Sequence, residues 1–378
     1  MKAQYDVLVV GGGIMGLSSA YYLALKGSSV MVLDQFDVPN QWAASGEHLR
    51  SFGLTYGKDV FYTEMAVKSI ALWQELDTQS GEKFFVQNGM LELATDTHGY
   101  EEQSCAVLKE MRLPAVKMGK EEVRRHYPMI NTRAIKYALF HKDGGMIWAR
   151  RATAAISMLA QRKSVRVKTH CKAALVLREK NAITGIKDSS GKVWRAENYL
   201  FTAGAWTPEL LKNSVPLKIT CQQQIYVRPP SNRGRYRPEH FPVFYVSSQG
   251  FSGFPLHIHG FMKIAGFRQG PAGKPGLTDK VLTAFDKKCR IFLKRYIPEL
   301  AAFTESEGSV SYFDNTKDGD FIMDRLSSVS NGYVACGFAE KGLRFAPLIG
   351  KTMAELITGA KPELNLHRFR LSRLKSSR

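Results

Sequence analysis

At 378 residues the chain can hold two or three domains, or two lobes of one fold, and a small disulfide-stapled scaffold is excluded. Apolar residues make up 44% and charged residues 23%, with 21 Phe and 15 Tyr, which is too aromatic for a disordered chain. Fifty-three Lys and Arg against 34 Asp and Glu leave a net charge of +19, which bears on the neighbours the protein attracts and not on its fold.

The five cysteines (Cys105, Cys171, Cys221, Cys289, Cys336) are odd in number, scattered and never in a CxxC pair, so neither a disulfide framework nor a zinc ribbon is indicated and no metal is expected. The opening MKAQYDVLVV meets Asp6 before any long apolar run, unlike a secretory signal. A reducing, cytoplasmic setting is the expectation. From Val7 to Leu25 there are 19 uncharged residues, and Gly12 and Gly16 form GxxxG, which imitates a membrane helix. Gly11, Gly12 and Gly13 in succession would each weaken a helix centre by roughly 1 kcal/mol, so strand, turn, helix is the better parse and no transmembrane segment is expected.

In chain order, Tyr5 to Val10 is a buried-strand run that stops at the three glycines. Ile14 to Lys26 sets Ile14, Leu17, Tyr21 and Leu25 on one helical face, and Gly27 supplies the stop. Ser29 to Leu33 is a second strand ending at Asp34, which completes a βαβ unit. Leu72 to Leu76 lies in a helix, Phe84 to Leu93 reads as strand with an Asn88-Gly89 turn, and Tyr100 to Met111 reads as helix. The turn cluster HKDGGM, His141 to Met146, marks a lobe crossing. Ala149 to Arg162 is helical, and Val165 to Phe201 reads as four short strands. Pro229 to Pro238 and Gln269 to Gly276 are loop-like and bracket aromatic strand-like runs, Phe241 to Val246 and Phe251 to Phe254, which suggests an antiparallel sheet. Val334 to Phe338 returns to the buried-strand pattern before a helix from Pro347 to Thr358. The closing HRFRLSRLKSSR has five Arg or Lys and no acid, and is expected to be a solvated tail.

Gly11-x-Gly13-x-x-Gly16 follows a strand and opens a helix, the context in which this spacing carries meaning. Gly11 permits the turn, Gly13 lets backbone approach a pyrophosphate, and Gly16 lets helix and strand pack closely. Asp34, 23 residues beyond Gly11, is placed to accept from a ribose diol and would repel a 2′-phosphate, so NADP is disfavoured. The fingerprint alone does not separate FAD from NAD.

VVGGGIMGLSSAYYLALKGSSVMVLDQFD, ASGEHLRSFGLTYG, HKDGGMI, TAGAWTPELL, GFPLHIHGFMKIAG, FIMD and GFAEKGLRFAPLIG occur in that order. In this the chain resembles the D-amino-acid oxidase superfamily of FAD-dependent oxidoreductases, most closely the branch of monomeric sarcosine oxidase and N-methyltryptophan oxidase. The resemblance spans residues 4 to about 370 and implies FAD. It implies cofactor contacts at Gly11, Gly13, Ile14, Met15, Gly16, Asp34, Gln35, Ser45, Arg50, Ala174, Gly204, Trp206, Gly337, Gly342, Leu343 and Arg344. Catalytic roles are implied for Arg344, as the cation gripping a substrate carboxylate, for Lys263, as the lysine that activates dioxygen, and for Arg50. Arg344 between Leu343 and Phe345 also reads as a buried cation needing a partner, which a bound carboxylate would supply. Lys263 between Met262 and Ile264 falls on the opposite face of its strand from both, and a solvated strand lysine is the plain alternative.

The chain departs from the branch at several positions. Ser311 stands where the branch has the cysteine that bonds to the flavin, so non-covalent FAD is expected. Gly53 replaces a second substrate arginine and is expected to leave room for a substrate bulkier than sarcosine. Phe313 replaces a tyrosine, and Arg268 lies near the position of a histidine.

The expected fold is α/β, a Rossmann-like FAD-binding lobe (1–83, 146–215, 318–378) with an inserted α+β substrate lobe (84–145, 216–317) containing an antiparallel sheet. The expected function is FAD-dependent oxidation of the C–N bond of a secondary or primary amino acid by dioxygen, giving an imine and hydrogen peroxide. Its partners are then a carboxylate-bearing amino acid and dioxygen. The alternatives are a dehydrogenase with another acceptor, a flavoenzyme acting on modified tRNA, and a non-catalytic flavin-binding module. Lys263 opposes the dehydrogenase, and the spread of the +19 charge along the chain opposes nucleic acid.

Overall fold

Strands from the start, middle and end of the chain form one six-stranded sheet in the order Ile322–Arg325, Gly332–Cys336, Ala196–Phe201, Tyr5–Val10, Val30–Leu33, Arg166–Lys168. Its pairings are parallel except for Ile322–Arg325 against Gly332–Cys336. The computed structural model describes residues 3–230, 233–276, 280–305 and 307–374. A parallel sheet needs cover on both faces, and alternation along Tyr5–Val10 supplies apolar side chains to each. Val7 and Val9 cluster with the helices Ile14–Leu25, Ala149–Arg162 and Ala346–Ile357. Leu8 and Val10 cluster with Ile183, Ile186 and Trp194 of a small antiparallel sheet (Ala173–Glu179, Ala182–Asp188, Val193–Trp194). Each such Val or Leu contributes ~1.5–3 kcal/mol on burial, so the sheet order is held from two sides.

The second large sheet has eight strands in the order Glu307–Asn315, Lys218–Val227, Met262–Gly266, Phe251–Gly253, Val243–Val246, Met90–Ala94, Tyr137–His141, Val116–Met118. All its pairings are antiparallel except Val243–Val246 with Met90–Ala94. On one face Ile225, Val227, Phe244, Met262, Ile264, Leu91 and Leu93 pack with Cys289, Phe292, Leu293 and Tyr296 of the helix Thr283–Tyr296. The period of two then sends Gln224, Tyr245, Lys263 and Glu92 to the other face. That face carries the chemistry. A three-stranded sheet, Leu49–Phe52, Gly145–Trp148 and Phe85–Val86, lies in the chain between the two.

The fold class is as expected, α/β with a separate antiparallel sheet. Local corrections follow from long-range pairing. Phe84 to Leu93 is two strands in different sheets, because Gly89 at φ +81° turns the chain between them. Val165 to Phe201 holds five strands, not four, and its first and last join the parallel sheet. The tail is docked rather than free over residues 367–374: Phe369 is fully buried, Arg368 binds Asp59 and Asp320, and Arg373 binds Asp318, while His367, Arg370 and Ser372 stay exposed. Residues 375–378 of that tail, and 231–232 of the Pro229 loop, lie outside the described residues.

Candidate active site

The glycines of the fingerprint divide by what surrounds them. A Cβ on Gly11, whose φ is +113°, would lie 2.4 Å from the Thr202 carbonyl oxygen, and one on Gly16 would lie 2.0 Å from that of Gly11. A Cβ on Gly13 would meet nothing nearer than the Ser45 hydroxyl at 3.7 Å. Gly11 and Gly16 are therefore required by packing, whereas Gly13 borders open space. The helix Ile14–Leu25 starts there with no side-chain cap and no acid in its first turn. From outside the helix Ser45 Oγ accepts from the Ile14 N–H at 3.3 Å. An uncapped helix start at the floor of a cleft attracts an anion through its free N–H groups and dipole.

Asp34 lines the same cleft. Its carboxylate accepts from the Gly12 N–H at 2.7 Å and the Phe36 N–H at 2.8 Å, and burial still raises its carboxyl against both bonds. Gly11, Gly13, Ile14, Met15, Asp34, Gln35, Ser45, Arg50, Ala174, Gly204, Trp206 and Leu343 all line the one cleft. Gly16 does not line it but lies in the first turn of the helix, against Gly11 and Thr202. Gly337, at φ +74°, donates its N–H to Asp314, itself a lining residue whose carboxyl burial lifts to about 6. A Cβ on Gly342 would strike Phe338, another lining residue, at 2.3 Å. A glycine cradle, an uncapped helix start and a buried acid beyond them fit an elongated dinucleotide.

Lys263 does not line the cleft, and it is not a solvated strand lysine: it is 1% exposed. Its ammonium donates to Glu47 Oε2 at 3.1 Å and the Leu49 carbonyl at 2.9 Å, 5.1 Å from the centre of the Phe254 ring. Glu47 also accepts from Gln224 at 2.6 Å, Ser309 at 2.8 Å, Tyr226 at 3.2 Å and Ser311 at 3.4 Å. Burial alone would raise the Glu47 carboxyl, but Lys263 and Arg50 outweigh it and hold the carboxylate ionised. Burial in turn pulls the Lys263 ammonium below its ordinary range. Arg50 reaches the cleft with its guanidinium 5.3 Å from the Phe313 ring centre and donates to the Ala44 carbonyl at 2.7 Å.

Arg344 faces a second chamber, lined also by Tyr56, Tyr245, Phe267 and Glu340. Its buried guanidinium already has a partner: Glu340 at 2.6 Å, with Ser51 and Tyr56 at 3.3 Å each. Burial opposes its charge, yet Glu340 and Tyr56 raise it above the ordinary arginine range. A guanidinium has five N–H donors, and these three hydrogen bonds leave some over. Glu340 lines the cleft as well as the chamber, so the Gly337–Phe345 stretch is one wall with two sides.

The departures also resolve. Ser311 is buried beside Glu47. The room expected at Gly53 is absent, because Met90 Sδ stands 2.6 Å from where a Cβ would sit. Arg268 is exposed and bonds the Ser248 carbonyl, while its neighbour Phe267 faces the chamber. Glu47, Glu92 and Glu340 carry no signal of their own in the sequence: each is a single acid without periodic context, Glu47 within ASGEHLR and Glu340 within GFAEKGLR.

Among the described residues no helix is long and apolar enough to cross a membrane. Monomeric sarcosine oxidase of Bacillus sp. (strain NS-129) is 26% identical over 386 residues, covering 99% of this chain and 98% of that protein. N-methyl-L-tryptophan oxidase of Salmonella newport (strain SL254) is 24% identical over 377 residues, covering 98% and 99%. The crystal structure of L-proline dehydrogenase from P. horikoshii superposes with a TM-score of 0.88 over 99% of this chain and 98% of that one at 20% identity, a likeness of fold. The family model for FAD dependent oxidoreductases matches residues 6–356, so a chain whose glycine cradle already fits a dinucleotide belongs to that family and is an FAD-dependent enzyme.

Proposed function

We propose that the enzyme oxidises the C–N bond of a secondary or primary amino acid, passes the electrons to dioxygen, and releases an imine, which water hydrolyses, and hydrogen peroxide. The observation that carries this reading is the shared wall: a dinucleotide cleft and an arginine-bearing chamber of about 480 Å³ meet at Glu340. Bound FAD supplies the hydride acceptor and the relay of electrons to oxygen. The chain's part is orientation and charge. The start of the helix at Ile14 and the open face of Gly13 receive the pyrophosphate, with the Ser45 hydroxyl that Ile14 N–H donates to beside it, and Asp34 receives the ribose. Arg344 offers its remaining donors to the substrate carboxylate, sharing itself with Glu340. Lys263, kept charged by Glu47, provides the cation that stabilises charge developing on oxygen.

Ser311 in place of a thiol supports non-covalent FAD. The two sheets support the division of the chain into 1–83, 146–215, 318–378 and 84–145, 216–317, since each sheet draws its strands from one set. The carboxylates of the chamber oppose a polyanionic substrate such as tRNA. Five free thiols support a reducing, cytoplasmic setting.

The test is anaerobic titration of the flavin absorbance with N-methyl, cyclic and D-amino acids, then admission of air with peroxide assayed. Bleaching followed by rapid recovery with stoichiometric peroxide is expected. Reduced flavin that persists in air would identify a dehydrogenase, and no bleaching by any amino acid would end the reading. Acid precipitation should leave the flavin in the supernatant.

A further inference from the structure

We propose that the substrate is an amino acid whose side chain ends in a second, cationic group, an ammonium or guanidinium, and that Glu92 and Glu101 receive it. The inference rests on the amino-acid reading of the same site and names its substrate class.

Glu92 is 1% exposed in the middle of Met90–Ala94, on the sheet face that turns away from the apolar core. Its oxygens accept only from neutral hydroxyls, Thr55 at 2.6 Å and Ser247 at 3.3 Å. Glu101, in the first turn of Tyr100–Glu110, is 4% exposed, and its Oε1 is buried with no hydrogen-bond partner. Both line the chamber that Arg344 faces. The other inner acids of that chamber are matched, Glu340 by Arg344 and Asp59 by Arg368. Lys341 stands instead over the Tyr62 ring, 3.8 Å from its centre. Among the described residues no ion pair forms at Glu92 or Glu101.

Buried carboxylates without a cation are costly, and an unsatisfied oxygen adds to that cost. The chain has 53 basic residues, yet the cation whose charge bears on Glu92 is Arg344, which is already paired with Glu340. The chamber lining carries five carboxylates against two cations in a protein whose net charge is +19. Tyr56, Tyr100 and Tyr245 add ring faces, which also attract organic cations. Burial pushes the Glu92 carboxyl up to about 7, and an arriving cation would draw it back into the ionised form. Arg344 and the two glutamates of the same lining then match the two charges of a basic amino acid.

The experiment uses the FAD-loaded enzyme and compares matched substrates: lysine and ornithine, each with and without an N-methyl group on the α-nitrogen, against their neutral isosteres 2-aminoheptanoic acid and norleucine treated alike. In the wild type kcat/KM for the cationic member should exceed that for its neutral isostere roughly tenfold or more. In Glu92→Gln/Glu101→Gln the ratio should fall towards one, with flavin content and thermal midpoint reporting the folded state. Equal or better use of the neutral isosteres by the wild type, or a ratio that survives the double substitution, overturns the inference and leaves the oxidase reading standing. Failure of every amino acid to reduce the flavin overturns both.

Discussion

Replacing Lys263 with Met removes a buried cation while keeping most of the apolar stem. Glu47 then loses its partner at 3.1 Å, and the Leu49 carbonyl loses a donor at 2.9 Å. Breaking a buried ion pair from one side costs about 3–5 kcal/mol, because the surviving charge stays buried. Glu47 keeps hydrogen bonds from Gln224, Ser309 and Tyr226, and Arg50 remains near, so the low end of that range applies. With about 1 kcal/mol for the orphaned carbonyl, the loss is about 4 kcal/mol. At about 2 °C per kcal/mol for a large chain, the thermal midpoint should fall by about 8 °C in scanning calorimetry at pH 7 with saturating FAD. Lys263→Met/Glu47→Gln should recover at least half of that loss, since the stranded charge is gone. In stopped flow, Lys263→Met should slow reoxidation by oxygen about a hundredfold or more, with anaerobic reduction changed far less. Equal midpoints for the single and double variants would show that Lys263 and Glu47 are not coupled, and equal slowing of both half-reactions would show that the cation does not serve oxygen.

Two further outcomes follow from the geometry. Gly13→Ala should fold with a midpoint close to wild type without FAD, because its Cβ enters open space, yet bind FAD at least tenfold more weakly; Gly16→Ala, whose Cβ would lie 2.0 Å from the Gly11 carbonyl oxygen, should lose stability with or without FAD, and identical calorimetric behaviour of the two would contradict the division of roles. Glu92, moved by burial from an ordinary 4.5 to about 7, holds its proton more tightly folded than unfolded, so stability falls as pH rises between those values, and Glu92→Gln should gain about 3 kcal/mol on wild type at pH 8 but little at pH 4.5. Urea melts at the two pH values measure it, and a gain independent of pH would refute the assignment.

What could be read from the sequence was local. The strand, turn and helix from Tyr5 to Leu33 announce themselves because period, glycines and Asp34 all fall within one short stretch. The inner face of the antiparallel sheet does not, because its neighbours are far apart in the chain: Glu92 lies opposite Tyr245, and Lys218–Val227 opposite Glu307–Asn315. No spacing rule joins Glu47 to Lys263 across that distance. Gly53 illustrates the same limit from the other side, since a missing side chain looks like space until Met90 arrives to fill it. The helix Thr283–Tyr296 has a readable stripe in Phe285, Cys289, Phe292 and Tyr296, but the glycine- and proline-rich QGPAGKPG before it gives the region a loop-like appearance.

The wall between cleft and chamber has a thermodynamic meaning. Ala339, Glu340 and Leu343 border one cavity while Glu340, Lys341 and Arg344 border the other, and Trp73 pins the Arg344 carbonyl from behind at 2.8 Å. A guest that fixes Arg344 against Glu340 also fixes the surface presented to the flavin. Linkage is reciprocal, so whatever factor a substrate analogue gains from the presence of flavin, the flavin gains from the analogue. Where that factor exceeds one, cofactor loss on dilution slows while the neighbouring chamber is occupied.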